Sequence, residues 1–77
     1  MSGTQRASDA IEAEFQTALA AQNAGSLSQA QAGYHRLLNI APQHFHAQHN
    51  LGLVMLEQGQ MGAALPHFLY AVQLEPK

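Results

Sequence analysis

An all-α fold is predicted by three observations. Helix formers dominate the sequence: alanine occurs 14 times and glutamine 10 times in 77 residues. Together with leucine and glutamate, these residues lose little on entering a helix. Strand signals are scarce, with valine only at Val54 and Val72 and isoleucine only at Ile11 and Ile40. Glycine and proline then divide the chain into four stretches of helical length.

The stretches follow in order. Residues 1–8 read as a polar, poorly ordered tail. Ser8-Asp9 opens the first helix, because Asp9 and Glu12 have the spacing of an N-cap and its reciprocal acidic partner. This helix spans about 9–23 and stops at Gly25, a residue suited to the left-handed position past a helix end. Ser26, with Gln29 three residues on, has the form of a capping box and opens a second helix over about 26–40. Pro42 blocks its continuation and disfavours helical geometry at Ala41. The third helix runs over about 44–58, with Ala47, Leu51 and Met55 on one face, and ends at Gly59. The fourth runs over about 61–74, with Ala64, Phe68 and Ala71 on one face and Pro76 beyond it. Pro66 falls in its first turn or two, where a missing N–H costs least.

Composition excludes several roles. Three basic against five acidic residues leave a charge of -2, so no basic excess is present to neutralise phosphates and no nucleic-acid partner is expected. The absence of cysteine removes disulfides and thiolate metal sites. No apolar run approaches the roughly 20 residues of a membrane span. Met1–Ala10 holds no apolar core of a signal peptide. No membrane partner is expected, and the reading is cytoplasmic.

The punctuation repeats. Gly25 and Gly59 stand 34 residues apart, and so do Ala30 and Ala64, Tyr34 and Phe68, Ile40 and Leu74, and Pro42 and Pro76. Ala13/Ala47 and Leu19/Leu53 obey the same period. A plain four-helix bundle needs the same apolar faces but not this period in its turns and prolines. A period of 34 built from two helices is the signature of the tetratricopeptide repeat.

Phe45–Lys77 resembles such a repeat in detail. Asn50-Leu51-Gly52 is similar to the family's Asn-Leu-Gly/Ala, and Gly59 to its inter-helix turn. Ala64 and Ala71 match its small residues, Phe68 its aromatic, Leu74 its last apolar position and Pro76 its terminal proline. Ile11–Pro42 fits through Gly25, Ala30, Tyr34, Ile40 and Pro42. It departs where Thr17-Ala18 replaces Leu-Gly and where Leu37 replaces a small residue. The resemblance implies two tandem helix-turn-helix repeats, over 9–42 and 43–77. Their four antiparallel helices would form a short right-handed solenoid.

In such arrays the first helices of successive units line a concave groove for an extended peptide or a partner helix. Carried onto this chain, the resemblance assigns that groove to Glu12, Phe15, Gln16 and Leu19 of the first helix. The third helix contributes His46, His49, Asn50, Leu53 and Glu57. In peptide-binding members an Asn before the Leu-Gly pair bonds the ligand backbone or a terminal carboxylate, which singles out Asn50, with Gln16 in the equivalent place. The chaperone type of carboxylate recognition needs basic groove residues. Here Arg6, Arg36 and Lys77 all lie off the groove helices. The repeats are also similar to arrays that precede bacterial glycosyltransferase domains of the O-GlcNAc-transferase kind. A substrate-gripping segment of such an enzyme is therefore the alternative to a free-standing interaction module.

No catalytic motif is present: there is no Gly-x-Ser-x-Gly, no phosphate-binding Gly-rich loop and no zinc-protease helix. His46 and His49 share a helix face, but two imidazoles without a nearby thiolate or carboxylate make a poor metal site. Neither metal nor cofactor is expected. The far side of the fourth helix carries Leu65, Leu69 and Val72 with no capping helix after it. Short solenoids need their last apolar face covered. That face is expected to meet a further repeat or a second copy of the chain, making the isolated chain a homo-oligomer.

Overall fold

The computed structural model describes the backbone of residues 3–74 and the side chains from Ser8 to Leu74. Four helices make up the described chain: α1 (Gly3–Asn23), α2 (Leu27–Ile40), α3 (Phe45–Glu57) and α4 (Met61–Leu74). No strand occurs among the described residues. Among the described residues all regular structure is helical, as the composition predicts. Each helix packs on its neighbour in sequence, α1 on α2, α2 on α3 and α3 on α4. The two middle helices are thus covered on two sides and the outer two mainly on one.

The first helix begins earlier than its capping pattern indicates. It starts at Gly3, so Asp9 and Glu12 lie inside it, residues 3–8 are not a tail, and Arg6, expected off the groove helices, belongs to α1. No proline interrupts this stretch, and Gln5, Arg6 and Ala7 favour helix, so the ladder propagates back past Asp9. Met1 and Ser2 lie outside the described residues, as do Glu75, Pro76 and Lys77 with the expected terminal proline. Ser26 holds the N-cap position of α2 but makes no side-chain capping bond, so the expected capping box does not form. Its ψ of 72° lies off the extended geometry that aims a hydroxyl at the first turn. The start of α3 is capped by His44 instead, whose Nδ1 accepts from the Ala47 N–H at 3.1 Å. Pro66 is the sixth residue of α4, in its second turn, within the expected first turn or two. It deprives the Gly62 carbonyl of a partner, on a surface where Gly62 and Pro66 are both exposed to water.

The two glycine turns are built alike. Gly25 has φ 82° and Gly59 φ 79°. The Gly25 N–H donates to the Gln22 carbonyl and the Ser26 N–H to that of Ala21. Thirty-four residues on, Gly59 donates to Leu56 and Gln60 to Met55. This is the Schellman closure, in which a left-handed residue lets two N–H groups satisfy the last carbonyls of the helix.

The core is small-residue rich. Ala18, Ala30, Tyr34, Leu37, Ala47, Leu51, Val54, Met55 and Ala64 form one buried cluster. Leu37, Leu51 and Val54 are fully buried, and each such side chain contributes about 1.5–3 kcal/mol. The alanines and glycines let the helices approach closely. A methyl group added at Gly33 would lie 2.9 Å from the Ala18 Cβ, and one at Gly52 would lie 2.8 Å from the Phe68 ring. None of the described helices is long and apolar enough to cross a membrane.

Candidate functional site

The short link between α2 and α3 brings the start of α3 against α1. Ala41 closes α2 by donating its N–H to the Leu37 carbonyl, and Pro42 prevents the helix from running on. Gln48, nearly buried, then ties this link down. Its Nε2 donates to the Pro42 carbonyl at 2.9 Å, and its Oε1 lies 2.8 Å from Nδ1 of His67 on α4. Because the Gln48 amide nitrogen is committed to a carbonyl, its oxygen is the acceptor and His67 Nδ1 carries the proton.

A continuous row of rings follows from this placement. Tyr34 meets Phe15 at 6.1 Å between centroids, and Phe15 meets His44 at 5.0 Å and His46 at 6.2 Å. Phe45 packs against His46 at 5.2 Å and stacks on His49 at 6.0 Å, and His49 meets Phe68 at 5.7 Å. The row crosses from α1 over the start of α3 to α4. Its ends correspond across the 34-residue period, since Phe15–Tyr34 and His49–Phe68 occupy equivalent positions. His46 and His49 are exposed, whereas Phe15, His44 and Phe45 are half-buried. The row thus offers water a mixed apolar and polar face.

Of the sequence-predicted groove residues, Phe15, His46 and His49 join this row. Asn50 is half-buried beside it and donates its Nδ2 to the Tyr34 hydroxyl at 3.4 Å. That hydroxyl in turn donates to Gln22 Oε1 at 2.5 Å. Glu12 and Gln16 are exposed and bonded to each other, Gln16 Nε2 to Glu12 Oε2 at 2.8 Å. Leu19 and Leu53 are half-buried and Glu57 is exposed; no ring or hydrogen bond joins these three to the row. Phe45 and His44 also belong to the row, although the repeat resemblance does not point to them. His44 was concealed because imidazole is an uncommon cap, although a histidine one residue before a helix start is a usable signal.

The electrostatics of the row follow from burial. His44 has its pKa lowered below the ordinary histidine value, chiefly by desolvation and then by nearby His46; its own backbone and Glu12 oppose this. His67 is lowered by desolvation and then by His35, whose ring lies 6.3 Å away. Tyr34 is raised by burial, against the opposing bond from Asn50. Among the described residues no three His, Asp or Glu gather where they could hold a metal ion.

A second surface is apolar. Met61, Leu65, Leu69 and Val72 of α4 are exposed by 68%, 55%, 56% and 62%. The predicted association residues Leu65, Leu69 and Val72 thus share one helix with Met61. A groove of about 550 Å³ lies at the opposite end of the molecule, between α1 and α2. It is lined by Thr17, Ala20, Ala21, Ala24, Ala32 and Gly33 among others. Neither a protein-family model nor a curated protein matches the chain.

Proposed function

We propose that the chain is a non-catalytic, two-unit tetratricopeptide module that holds an extended peptide or a partner helix on the face carried by α1 and α3. The observation that carries this reading is the ring row from Phe15 through His46 and Phe45 to His49, with the Asn50 amide beside it. Part-exposed aromatic and imidazole rings give a ligand apolar area at low conformational cost. Asn50 spends one donor on Tyr34, and its Oδ1 accepts no bond among the described residues. A peptide N–H is a suitable donor for it. The repeat reading draws further support from the two turns that match bond for bond at a spacing of 34 residues.

The test is a selection of linear peptides from a random display library on the immobilised chain, followed by amide chemical-shift mapping with one selected peptide. Shifts concentrated at residues 12–19 and 45–53 are expected. Shifts confined to α2 and α4 reject the assigned face.

A further inference from the structure

We infer that copies of this chain stack head to tail, the outer face of α4 in one copy seating in the groove between α1 and α2 of the next. The inference rests on the 34-residue repeat reading but not on the peptide-binding face. Its basis is the joint between α2 and α3, which already exists within the molecule. Moving each partner of that joint by one period turns α2 into α4 and α3 into the α1 of a following copy. The joint then continues between chains.

Burial identifies the surfaces that lack this cover. Leu51 and Val54 of α3 are fully buried, whereas Thr17 and Ala20, one period earlier on α1, are exposed. Leu27 and Leu38 of α2 are half-buried, whereas Met61 and Val72, one period later on α4, are exposed. In each case the inner helix has a neighbour that the outer helix lacks.

The two uncovered surfaces complement each other: large apolar side chains stand out on α4, and the groove is lined mostly by small residues, with Ser26, Gln29 and Arg36 among them. Within the molecule, Gln58 Nε2 donates to Gln31 Oε1 at 2.6 Å across the joint, and the His35 and His67 rings meet at 6.3 Å. One period apart, the first pair becomes Leu65 against Ala24 and the second becomes Leu69 against Gly33. Two polar pairs are thus replaced by two pairings of a large apolar side chain with a small residue. Ala24 and Gly33 both line the groove of about 550 Å³, which gives Leu65 and Leu69 somewhere to go. At the edge, His46 against Phe15 becomes Glu12 of one copy beside His49 of the other, placing a carboxylate next to an imidazole. The contact uses different surfaces on the two copies, so it does not close at a dimer, and repeating the one-period step of the internal joint extends the chains as an open row.

Sedimentation of the full chain over a concentration series, with two blocked variants, tests this. One variant carries Leu65→Glu and Leu69→Glu, the other Ala20→Glu and Ala24→Glu; all four positions are exposed in the single chain. Circular dichroism checks that both remain helical. The unmodified chain is expected to rise past twice the monomer mass without levelling off, and each variant alone is expected to stay monomeric. An equimolar mixture of the two variants is expected to stop at a dimer, because each supplies the face the other lacks. A chain that stays monomeric at every concentration overturns the inference, as covering by further repeats or an unrelated partner would predict. An Ala20→Glu, Ala24→Glu variant that still dimerises by itself also overturns it, because the contact is then α4 on α4. Both variants keep Phe15, His46, His49 and Asn50, so peptide shift mapping on either one tests the binding face separately.

Discussion

Asn50 on α3 donates a hydrogen bond to the hydroxyl of Tyr34 on α2, and that hydroxyl donates in turn to Gln22 Oε1 on α1. Three helices are therefore joined through one buried phenol. Asn50→Ala is expected to lower stability by about 0.5–1.5 kcal/mol in urea unfolding. It is also expected to weaken the selected peptide. Tyr34→Phe separates the two roles: it breaks the same relay while leaving the Asn50 amide on the binding face. Stability should fall with Tyr34→Phe and peptide affinity should hold. Equal loss of affinity in both variants would make Asn50 a purely structural residue.

The turn glycines give a second expectation. A Cβ at Gly25 or Gly59 meets nothing within 4 Å, so only the left-handed backbone resists a side chain there. Gly25→Ala and Gly59→Ala should each cost about 1–2 kcal/mol. The two turns share no hydrogen-bond partner, so the double variant should lose about the sum of the two. Thermal unfolding of the three variants checks this, and a neutral Gly59→Ala would contradict the need for a left-handed residue.

The helix-packing glycines should differ from each other. A Cβ at Gly33 faces the Ala18 Cβ at 2.9 Å and its Cα at 3.4 Å, which move only with the helix. A Cβ at Gly52 faces the Phe68 ring, a half-buried side chain with room to turn outward. Overpacking costs about 1–3 kcal/mol, and Gly33→Ala should sit nearer the top of that range than Gly52→Ala. Ala18→Gly should partly rescue Gly33→Ala. Gly52→Ala should instead show its effect as a moved Phe68 and a broken contact with His49, read from side-chain chemical shifts.

The legible part of the fold was the part written in local chemistry. Gly25, Gly59 and Pro42 mark three helix ends because left-handed backbone and a missing N–H act within a few residues. Ala30, Ala47 and Ala64 lie in the core because each stands four residues before the next large apolar residue on its helix's packed face, Tyr34, Leu51 and Phe68. The start of α1 differs from its capping signal because Asp9 and Glu12 have the spacing of a cap inside a stretch that is helical throughout. A capping pattern shows that a helix can begin at a residue and cannot show that it does. Gln48 and His44 were harder still. One binds a carbonyl six residues back and a histidine 19 residues on, and the other packs its ring against Phe15 on α1. His67 and Phe15 reach these two residues only once the helices have packed, so no short window along the sequence contains those contacts.

Acid should loosen the chain, and His44 should account for much of the effect. Its Nδ1 accepts the Ala47 N–H at the start of α3. A protonated imidazole has no lone pair to accept with, so charging His44 removes the cap. Burial and the neighbouring His46 also lower its pKa in the folded chain, and burial and His35 do the same for His67. The sign follows from proton counting. In the unfolded chain both histidines titrate near the ordinary value of about 6.5. In the folded chain they resist protonation until lower pH, so in between the unfolded state binds more protons. The stabilisation is therefore complete above the unfolded value and is lost as pH falls through the lowered folded values. Chemical denaturation from pH 8 down to pH 5 should show constant stability at the alkaline end and a decline below about pH 6.5. His44→Ser supplies a hydroxyl that caps without titrating. It should flatten that decline, and His67→Gln should remove a further part. A decline of the same depth in His44→Ser would mean that the cap is not what acid breaks.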